Sequence, residues 1–382
     1  MAAVVPAFSQ TWTQTTAPVG NYWSSVASSA DGTKVVAAAY ISTGFQPGCV
    51  YLSMDSGQNW TTSNIPLEQW EYVASSRDGK ILAATANYDQ IYTSTNSGLT
   101  WRSNNVARKW GSICVSSNGT RMAVAPANYP ISISTDSGVT WTTNGPTTNW
   151  NSIACSADGT KLVACGGLGD PGNLAFVFTS ADSGSNWISR LPLTSTAGGG
   201  SAVASSADGT KLVFVTGMGR IFTSTDSGAT WNSNNIPVAG GWWTVASSAD
   251  GTKLVVAGAY SGGSPIYTSA DSGTTWNPNT SAPLVWWNGV ASSADGSKLY
   301  AGTWYGNGLY TLQTAAAAPM LGITFSGAQM VVSWPQSLTG WTLQTNANLA
   351  LPVWGNYLGA IANNSTTNST EEGSLFFRLV NP

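Results

Sequence analysis

The sequence predicts an all-β fold in which one unit of four short strands is repeated, and three observations support this. A first phrase, typified by SADGTKLVA, occurs seven times, at 29–34, 76–80, 117–121, 156–161, 206–211, 248–253 and 293–298. A second phrase, typified by STDSGATW, occurs six times, at 53–60, 94–101, 134–141, 180–187, 224–231 and 269–276. The tryptophans that end successive second phrases are 41, 40, 46, 44 and 45 residues apart, and this period is typical of a four-stranded repeat.

The residues of each repeat predict its strands in order. The first strand ends in VASS and is followed by an Asp-Gly turn, which tight hairpins favour. The second strand, KLVAA, is rich in β-branched and small residues, and a loop of variable length leads to the third strand, IYTS. A tight turn then leads to the fourth strand, which carries TW. Because consecutive strands alternate in direction, the uniform turns lie at one end and the variable loops at the other, where we expect function.

The second phrase resembles a known repeat. S-x-D-x-G-x-x-W is the pattern of the Asp box, also called the bacterial neuraminidase repeat. The resemblance covers roughly residues 10–314 and implies a β-propeller like those of sialidases, sortilin-type receptors and photosystem assembly factors, without implying their activities. The side chains at the aspartate position are expected to accept hydrogen bonds from backbone N–H groups within the turn. They are Asp55, Asn96, Asp136, Asp182, Asp226 and Asp271.

The two ends of the repeat array predict seven blades. The last copy of the SADGTKLVA phrase, at 293–298, is followed by LYTLQT but by no copy of the STDSGATW phrase. The N-terminal segment FSQTWTQTTAP resembles QNWTTSNIP, so that Trp12 matches Trp60. We therefore expect the N-terminal strand to complete the last blade of a seven-bladed propeller at 1–314, which removes open sheet edges.

The C-terminal residues do not follow the repeat. AAAAP at 315–319 is expected to be a linker. Within 320–382, the segments LGITFSG, AQMVVSWP, GWTLQTNAN and SLFFRLV read as short strands separated by turns. This stretch resembles a small β module at the C-termini of many secreted bacterial proteins. It either packs as a stabilising appendage or serves in sorting or surface attachment.

The composition excludes several classes of function. The chain contains no histidine, which excludes a Ser-His-Asp triad and His-ligated zinc or haem. Only 8 % of its residues are charged, against about 25 % in an average domain, and the net charge of −3 argues against nucleic acid as a partner. The sequence contains no run of 18 apolar residues, so it predicts no membrane-spanning helix. We predict no metal and no cofactor.

The remaining composition bears on the cysteines and on location. Cys155 and Cys165 flank one short turn and would allow a disulfide between two hairpin strands, although their register is diagonal. The alternative is that all four cysteines are small buried thiols. The abundance of Ser, Thr and Asn with few lysines predicts a secreted protein, extracellular or at a bacterial-type cell surface.

Aromatic residues concentrate at the variable-loop end. A tryptophan begins the first strand in six units, and doublets occur in two of them. The single tryptophans either surround the channel mouth or wedge between blades as core. In a doublet, adjacent strand residues face opposite ways, so one ring is expected to be exposed. With aromatics of the second-to-third loops, the candidate ligand-binding residues are Trp23, Trp70, Trp110, Trp150, Trp242, Trp243, Trp286, Trp287, Tyr260, Trp304 and Tyr305.

Flat aromatic faces beside amide and hydroxyl groups suit sugars. The sequence therefore predicts a non-catalytic, lectin-like protein whose partner is a glycan. The absence of Asp and Glu from 260–265 and 285–290 favours neutral sugars. Sialidase activity is not expected, because RLP occurs only at 190–192 and too few arginines are suitably placed. One alternative is a glycoside hydrolase or lyase, with Glu68, Glu71 and Asp89 as candidate catalytic residues. The other is a surface scaffold that binds a protein partner on the variable-loop face.

Overall fold

All regular secondary structure described in the computed structural model consists of β-strands. The structure describes residues 11–41, 46–88, 90–104, 108–167, 175–192, 199–234, 236, 241–259, 262–313, 321–326, 329–334, 342–348, 354–359, 361, 365–369 and 376–380. Within these ranges, no helix has the length and apolarity needed to cross a membrane. The chain divides into one unit spanning Ser9–Gln313 and another that contains Thr314–Pro382.

The unit Ser9–Gln313, which we call the repeat unit, is built from short antiparallel strands rich in Val, Ile, Ala and Thr. The first nine strands are β1 (Trp12–Gln14), β2 (Asn21–Ser28), β3 (Val35–Ile41), β4 (Val50–Ser53), β5 (Thr61–Thr62), β6 (Trp70–Ser75), β7 (Leu82–Ala86), β8 (Ile91–Ser94) and β9 (Arg102–Ser103). The strands β2 to β5 and β6 to β9 form two antiparallel four-stranded sheets, each in sequence order.

The next seven strands form one continuous sheet because a single long strand is shared. They are β10 (Ile113–Val115), β11 (Met122–Val124), β12 (Ala127–Ser134), β13 (Thr142–Cys155), β14 (Leu162–Gly166), β15 (Phe176–Ser180) and β16 (Ile188–Pro192). The first part of β13 pairs with β12 and its last part pairs with β14. Thus β13 is at once the fourth strand of one repeat and the first strand of the next.

The remaining strands of this unit repeat the four-stranded pattern. They are β17 (Gly200–Ser205), β18 (Leu212–Thr216), β19 (Ile221–Ser224), β20 (Asn232–Asn234), β21 (Gly241–Ser247), β22 (Leu254–Ala259), β23 (Ile266–Ser269), β24 (Asn277–Asn279), β25 (Trp287–Ser292), β26 (Lys298–Thr303) and β27 (Leu309–Gln313). The last sheet has the order β25, β26, β27, β1, so the N-terminal strand is its outer strand. Trp12 lies opposite Leu312 in that pairing.

Hydrogen bonds join the Asp-Gly turns of successive repeats into a closed cycle. Each copy of the SADGTKLVA phrase has a buried serine, and the residue directly after that serine donates its backbone N–H. Its acceptor is the carbonyl of the equivalent residue in the next repeat. The seven donor–acceptor pairs are Ala30–Arg77, Arg77–Ser117, Ser117–Ala157, Ala157–Ala207, Ala207–Ala249, Ala249–Ala294 and Ala294–Ala30, with N···O distances of 2.7–3.0 Å.

The turn after each third strand is held by its own side chains. In the 224–231 copy, the Oγ of buried Ser224 donates to Asp226 Oδ1 (2.8 Å) and accepts from the N–H of Gly228 (2.9 Å). The backbone N–H of Thr230 donates to the same carboxylate at 2.9 Å. Hydrogen bonds from the Thr230 hydroxyl, the Thr230 N–H and Ser224 Oγ lower the pKa of Asp226 to about 2. Asn96 serves the equivalent turn, its Oδ1 accepting from a backbone N–H at 2.9 Å.

Two of the cysteines considered for a disulfide lie on opposite faces of one sheet. Cys155 pairs with Leu162, whereas Cys165 pairs with Ser152. Because directly paired residues share a face and neighbours alternate, Cys155 packs with Leu162 and Cys165 packs with Val163 in a different cluster. All four cysteines have free thiols. The Cys155–Cys165 bridge is therefore not present.

The C-terminal unit contains two small antiparallel sheets. Its strands are β28 (Gly322–Ser326), β29 (Gln329–Ser333), β30 (Thr342–Asn346), β31 (Gly355–Asn356), β32 (Ser365–Ser369) and β33 (Phe376–Val380). One sheet has the order β28, β29, β32 and the other β31, β30, β33. Val332 and Leu343 are buried, so each sheet contributes an apolar side chain to the interior.

Replacing Ser224 by Ala should destabilise the repeat unit by about 1–3 kcal/mol, because it leaves the buried N–H of Gly228 without an acceptor. Asp226→Asn is the matched control. This variant should lose less stability than Ser224→Ala, because Asn96 occupies the same position in another copy of the turn and makes equivalent hydrogen bonds. Urea unfolding of the three proteins measures the difference. Equal loss in both variants would contradict the proposed hydrogen-bonding role of the serine.

Trp12→Ala should cost about 3–5 kcal/mol, as expected for removal of a large buried aromatic side chain. Trp12 is 5 % exposed and its ring lies 6.2 Å from that of Trp287. The neighbouring substitution Thr13→Ala, on the exposed side of the same strand, should have little effect. Chemical unfolding distinguishes them. If both variants unfold like the wild type, pairing of β1 does not stabilise the last sheet.

Candidate functional site

The single tryptophans predicted as binding residues are buried. Trp23, Trp70, Trp110 and Trp150 are 0–3 % exposed. Trp70, for example, packs with Leu52 of the preceding sheet as well as with its own sheet. These side chains wedge between neighbouring sheets, and their rings have no surface on which a ligand could stack. We therefore do not include them in the proposed binding site.

The two tryptophan doublets divide into one buried and one surface ring each. Trp242 and Trp287 are 4 % and 0 % exposed. Each donates its indole N–H to a backbone carbonyl at 2.9 Å, that of Gly219 for Trp242 and that of Ser264 for Trp287. They occupy the wedge position of the single tryptophans and, like them, are excluded from ligand contact. Their neighbours Trp243 and Trp286 are half-buried.

A β-bulge explains why the residue after the wedge position faces the channel. In the pairing of β21 with β22, Trp242 lies opposite Gly258 and Thr244 lies opposite Ala257, so Trp243 is an extra residue. Bulges re-aim side chains in this way. Six first strands have this register shift, at Ser24, Glu71, Asn151, Ser201, Trp243 and Asn288.

These bulge residues line a central cavity of about 390 Å³, a volume within the range of small-ligand sites. The lining combines uncharged polar side chains with Val, Ile and Ala, and Trp243 and Trp304 form an aromatic part of the wall. The Ser, Thr and Asn residues in the lining are Ser24, Ser25, Ser112, Asn151, Ser152, Ser201, Thr244 and Asn288. Ser25, Ser152 and Thr244 each accept a backbone N–H through the side-chain oxygen at 3.1–3.2 Å. Each of these hydroxyl groups keeps its hydrogen to donate to a hydroxylated ligand.

Six aromatic residues form a continuous cluster beside this cavity. We call Tyr22, Tyr40, Trp243, Trp286, Trp304 and Tyr305 the aromatic cluster. Its ring centroids lie 5.0–6.3 Å apart along seven contacts. Trp243 contacts both Trp286 and Trp304 at 5.9 Å. Because Trp243 and Trp304 also line the cavity, the cluster continues into it.

Backbone pairing holds these rings in place. Tyr22 and Tyr40 are directly opposite each other on β2 and β3. The N–H of Trp304 donates to the carbonyl of Trp286 at 2.9 Å. Tyr40 is buried and Tyr305 is 53 % exposed, with the other four between these limits. The cluster therefore combines a packed base with accessible ring faces.

Glu71 is the carboxylate that the described lining residues contribute to the cavity. Burial raises the pKa of this half-buried group, and the charge of Lys109 opposes that change. The Glu71 charge in turn contributes to raising the pKa of Tyr40 and of Tyr72, after the larger effect of burial on each. The carboxylate thus lies close to a member of the aromatic cluster.

The other acidic and aromatic candidates are not part of this arrangement. Glu68 is not among the described residues that line the cavity, and its carbonyl accepts a hydrogen bond from Gly48. Asp89 and Tyr260 lie outside the described residues. The described part of the chain contains no group of three or more Cys, Asp or Glu residues that could hold a metal ion.

The sequence analysis missed Tyr22 and the polar residues at the bulges. A signal for Tyr22 was present, because Tyr22-Trp23 matches Trp286-Trp287 when the wedge tryptophans are aligned. The bulge residues share no residue type, and the signal for them is one of position, because five of the six directly follow a buried first-strand tryptophan. Their role depends on one additional residue in the register of each first strand.

Comparisons with known proteins address the fold. No protein-family model and no curated protein matches the chain. Among solved structures it is similar to Ycf48 bound to D1 peptide (TM-score 0.61, 15 % identity, 81 % of this chain and 99 % of that one). It is also similar to the GH74 xyloglucanase from Xanthomonas campestris (0.60, 16 %, 86 % and 60 %) and to hydrazine synthase from Kuenenia stuttgartiensis (0.61, 15 %, 82 % and 99 %).

The chain has a β-propeller fold. These neighbours are β-propellers, and the all-β repeat unit matches them over most of its length. At 15–16 % identity the likeness concerns the fold alone. The chain also corresponds to only 60 % of the xyloglucanase chain. Any argument about the function of this propeller therefore rests on the residues of the site itself.

Glu71→Gln should raise the stability of the propeller at pH 7, because it removes a buried charge. The raised pKa means that the folded state holds the proton more tightly than the unfolded chain does. Stability therefore falls as the pH rises from the ordinary glutamate pKa through the raised one.

Urea unfolding at pH 4 and pH 7 measures this effect. The gain from Glu71→Gln should be present at pH 7 and should shrink toward pH 4, where the wild-type carboxyl is protonated in both states. Glu71→Asp retains a carboxylate and serves as the control. A gain of equal size at both pH values would show that packing, and not the buried charge, is responsible.

Proposed function

We propose that residues 1–314 form a seven-bladed propeller with Asp-box turns, followed by a linker at 315–319 and a small β module at 320–382. The closed cycle of seven hydrogen bonds supports the blade count. The serine- and aspartate-bonded turns support the Asp-box assignment. We propose further that this propeller binds carbohydrate, without catalysis, at the aromatic cluster. The composition supports a place outside the cell or on its surface.

The aromatic cluster carries this proposal. Trp243, Trp286 and Trp304 are half-buried and Tyr305 is more exposed, so ring faces are available next to a cavity. The C–H faces of a pyranose ring pack well on indole and phenol rings. The edge-to-face contacts within the cluster also fix the orientations of its rings, which lowers the entropic cost of binding.

The polar cavity completes the match to a sugar. Beside Trp243 and Trp304 it presents the hydroxyl groups of Ser25, Ser152 and Thr244. Their oxygens accept backbone N–H groups, and their hydrogens suit the oxygen atoms of a sugar. Each stacked ring contributes roughly 1–3 kcal/mol by analogy with bases stacked on aromatic side chains. One such site therefore gives an affinity of about millimolar to micromolar.

The acidic groups favour binding over hydrolysis. A glycoside hydrolase generally needs two carboxyl groups about 5–10 Å apart. Among the described lining residues, Glu71 alone carries a carboxylate. The site thus offers stacking and hydrogen bonding without the usual pair of acids.

A protein partner is a second candidate, favoured by one comparison. The similar Ycf48 structure has a bound D1 peptide. Exposed aromatic rings also suit peptide side chains, and aromatic residues are enriched at protein interfaces. In this case the same variable-loop face would contact a protein, and the cavity would play a minor part.

The double substitution Trp243→Ala, Trp286→Ala should weaken binding of neutral oligosaccharides at least tenfold. It removes two adjacent rings of the cluster and leaves the buried wedge tryptophans Trp242 and Trp287 in place. A glycan array identifies ligands, and titration calorimetry with the best soluble oligosaccharide measures the change. A reducing-sugar assay on the same panel tests for hydrolysis.

The matched control is Leu99→Ala, which removes exposed apolar surface at the opposite end of the propeller. It should bind like the wild type. Failure of every neutral or amino oligosaccharide to bind, together with capture of a peptide ligand, would replace the carbohydrate proposal with the scaffold proposal. Release of reducing ends would instead favour the enzyme.

A further inference from the structure

Glu71 is not explained by the binding of a neutral sugar. Glu71 lines the cavity, and its carboxylate makes no hydrogen bond and no ion pair with the described residues. A half-buried charge without such a partner is unfavourable for folding. Ser and Asn occupy the same bulge position in other repeats, so the backbone does not require a glutamate there. A cationic ligand would supply the missing partner.

The surroundings of Glu71 suit a cation. Its charge acts on Tyr40, and the ring of Tyr40 lies 6.3 Å from that of Trp304. Trp304 and Glu71 line the same cavity, together with Trp243. A carboxylate and aromatic rings that line one cavity attract ammonium groups, through charge pairing and through cation–π interaction.

We propose that this site takes a sugar with a free, protonated amino group. Its ammonium pairs with Glu71 while its pyranose ring packs against Trp243 and Trp304. This inference rests on the proposed carbohydrate function and narrows it to amino sugars. The loop segments 260–265 and 285–290 carry no acidic residue, and the negative charge comes instead from β6 in another repeat.

Lys109 has the opposite charge to Glu71 and should have the opposite effect on binding of a cation. It is exposed, is not among the described lining residues, and acts on Glu71 electrostatically without a contact within 4 Å. Its positive charge therefore opposes the approach of a cation. Removing it should strengthen binding of an amino sugar, whereas removing Glu71 should weaken it. A nonspecific loss of folding cannot produce both results.

The test compares an oligomer of N-acetylglucosamine with the glucosamine oligomer of the same length, at pH 6, by titration calorimetry. The wild type should bind the glucosamine oligomer at least tenfold more tightly. Glu71→Gln should abolish this preference and leave binding of the acetylated oligomer within twofold. Glu71→Asp should retain part of the preference, and Lys109→Gln should increase it two- to fivefold. Thermal unfolding checks that each variant is folded.

The outcomes separate this inference from the proposed function. Equal binding of both oligomers by the wild type would overturn the amino-sugar proposal and leave carbohydrate binding intact. Binding of neither oligomer, nor of any other sugar on the array, would overturn both. A preference that persists in Glu71→Gln would overturn the assignment to Glu71. Competition by methylammonium as effective as that by the amino sugar would show that the site recognises an ammonium group and not a sugar.

Discussion

The cycle of backbone hydrogen bonds through the Asp-Gly turns is the constraint on which the rest of the propeller depends. Each bond joins one repeat to the next, and the seventh returns to the first. The same phrase also supplies the turn, since Asp31 accepts from Ser29 Oγ and from the N–H of Thr33. One short stretch of sequence thus shapes a hairpin and fixes its neighbour.

The glycine and lysine of that phrase complete the contact between repeats. Gly32 has a φ of +67°, and a Cβ placed on it would lie 2.8 Å from the Lys298 side chain. Glycine is needed there both for its backbone conformation and for the close approach. The amine of Lys34, in the same repeat as Gly32, donates to the carbonyl of Asp78 in the next repeat at 2.9 Å. These contacts explain why the SADGTKLVA phrase recurs with so little variation. The loops at the opposite end of the propeller vary in length and sequence.

The sequence predicted strands and turns well because their signals are local. Asp-Gly pairs, the S-x-D-x-G pattern and β-branched runs each act within a few residues. The directions of the tryptophans could not be predicted in the same way. Trp243 follows the buried tryptophan of its strand and Trp286 precedes that of its own, and residue type alone does not predict the bulge that places Trp243 in the cavity wall. The same dependence on register separated Cys155 from Cys165, and it brought Glu71 and Tyr40 together from different repeats.

Closure of the ring by its first strand has a consequence for how the protein is made. Thr13 bonds to Thr311, which lies 298 residues later in the chain. At a synthesis rate of about 5–20 residues per second, β1 waits on the order of 15–60 s for its partner strand to emerge. During that time β1 and the growing sheets have unpaired edges that invite association with other chains. Ribosome-bound chains therefore pass through a long open state, and chaperones that shield β-edges have a defined period in which to act.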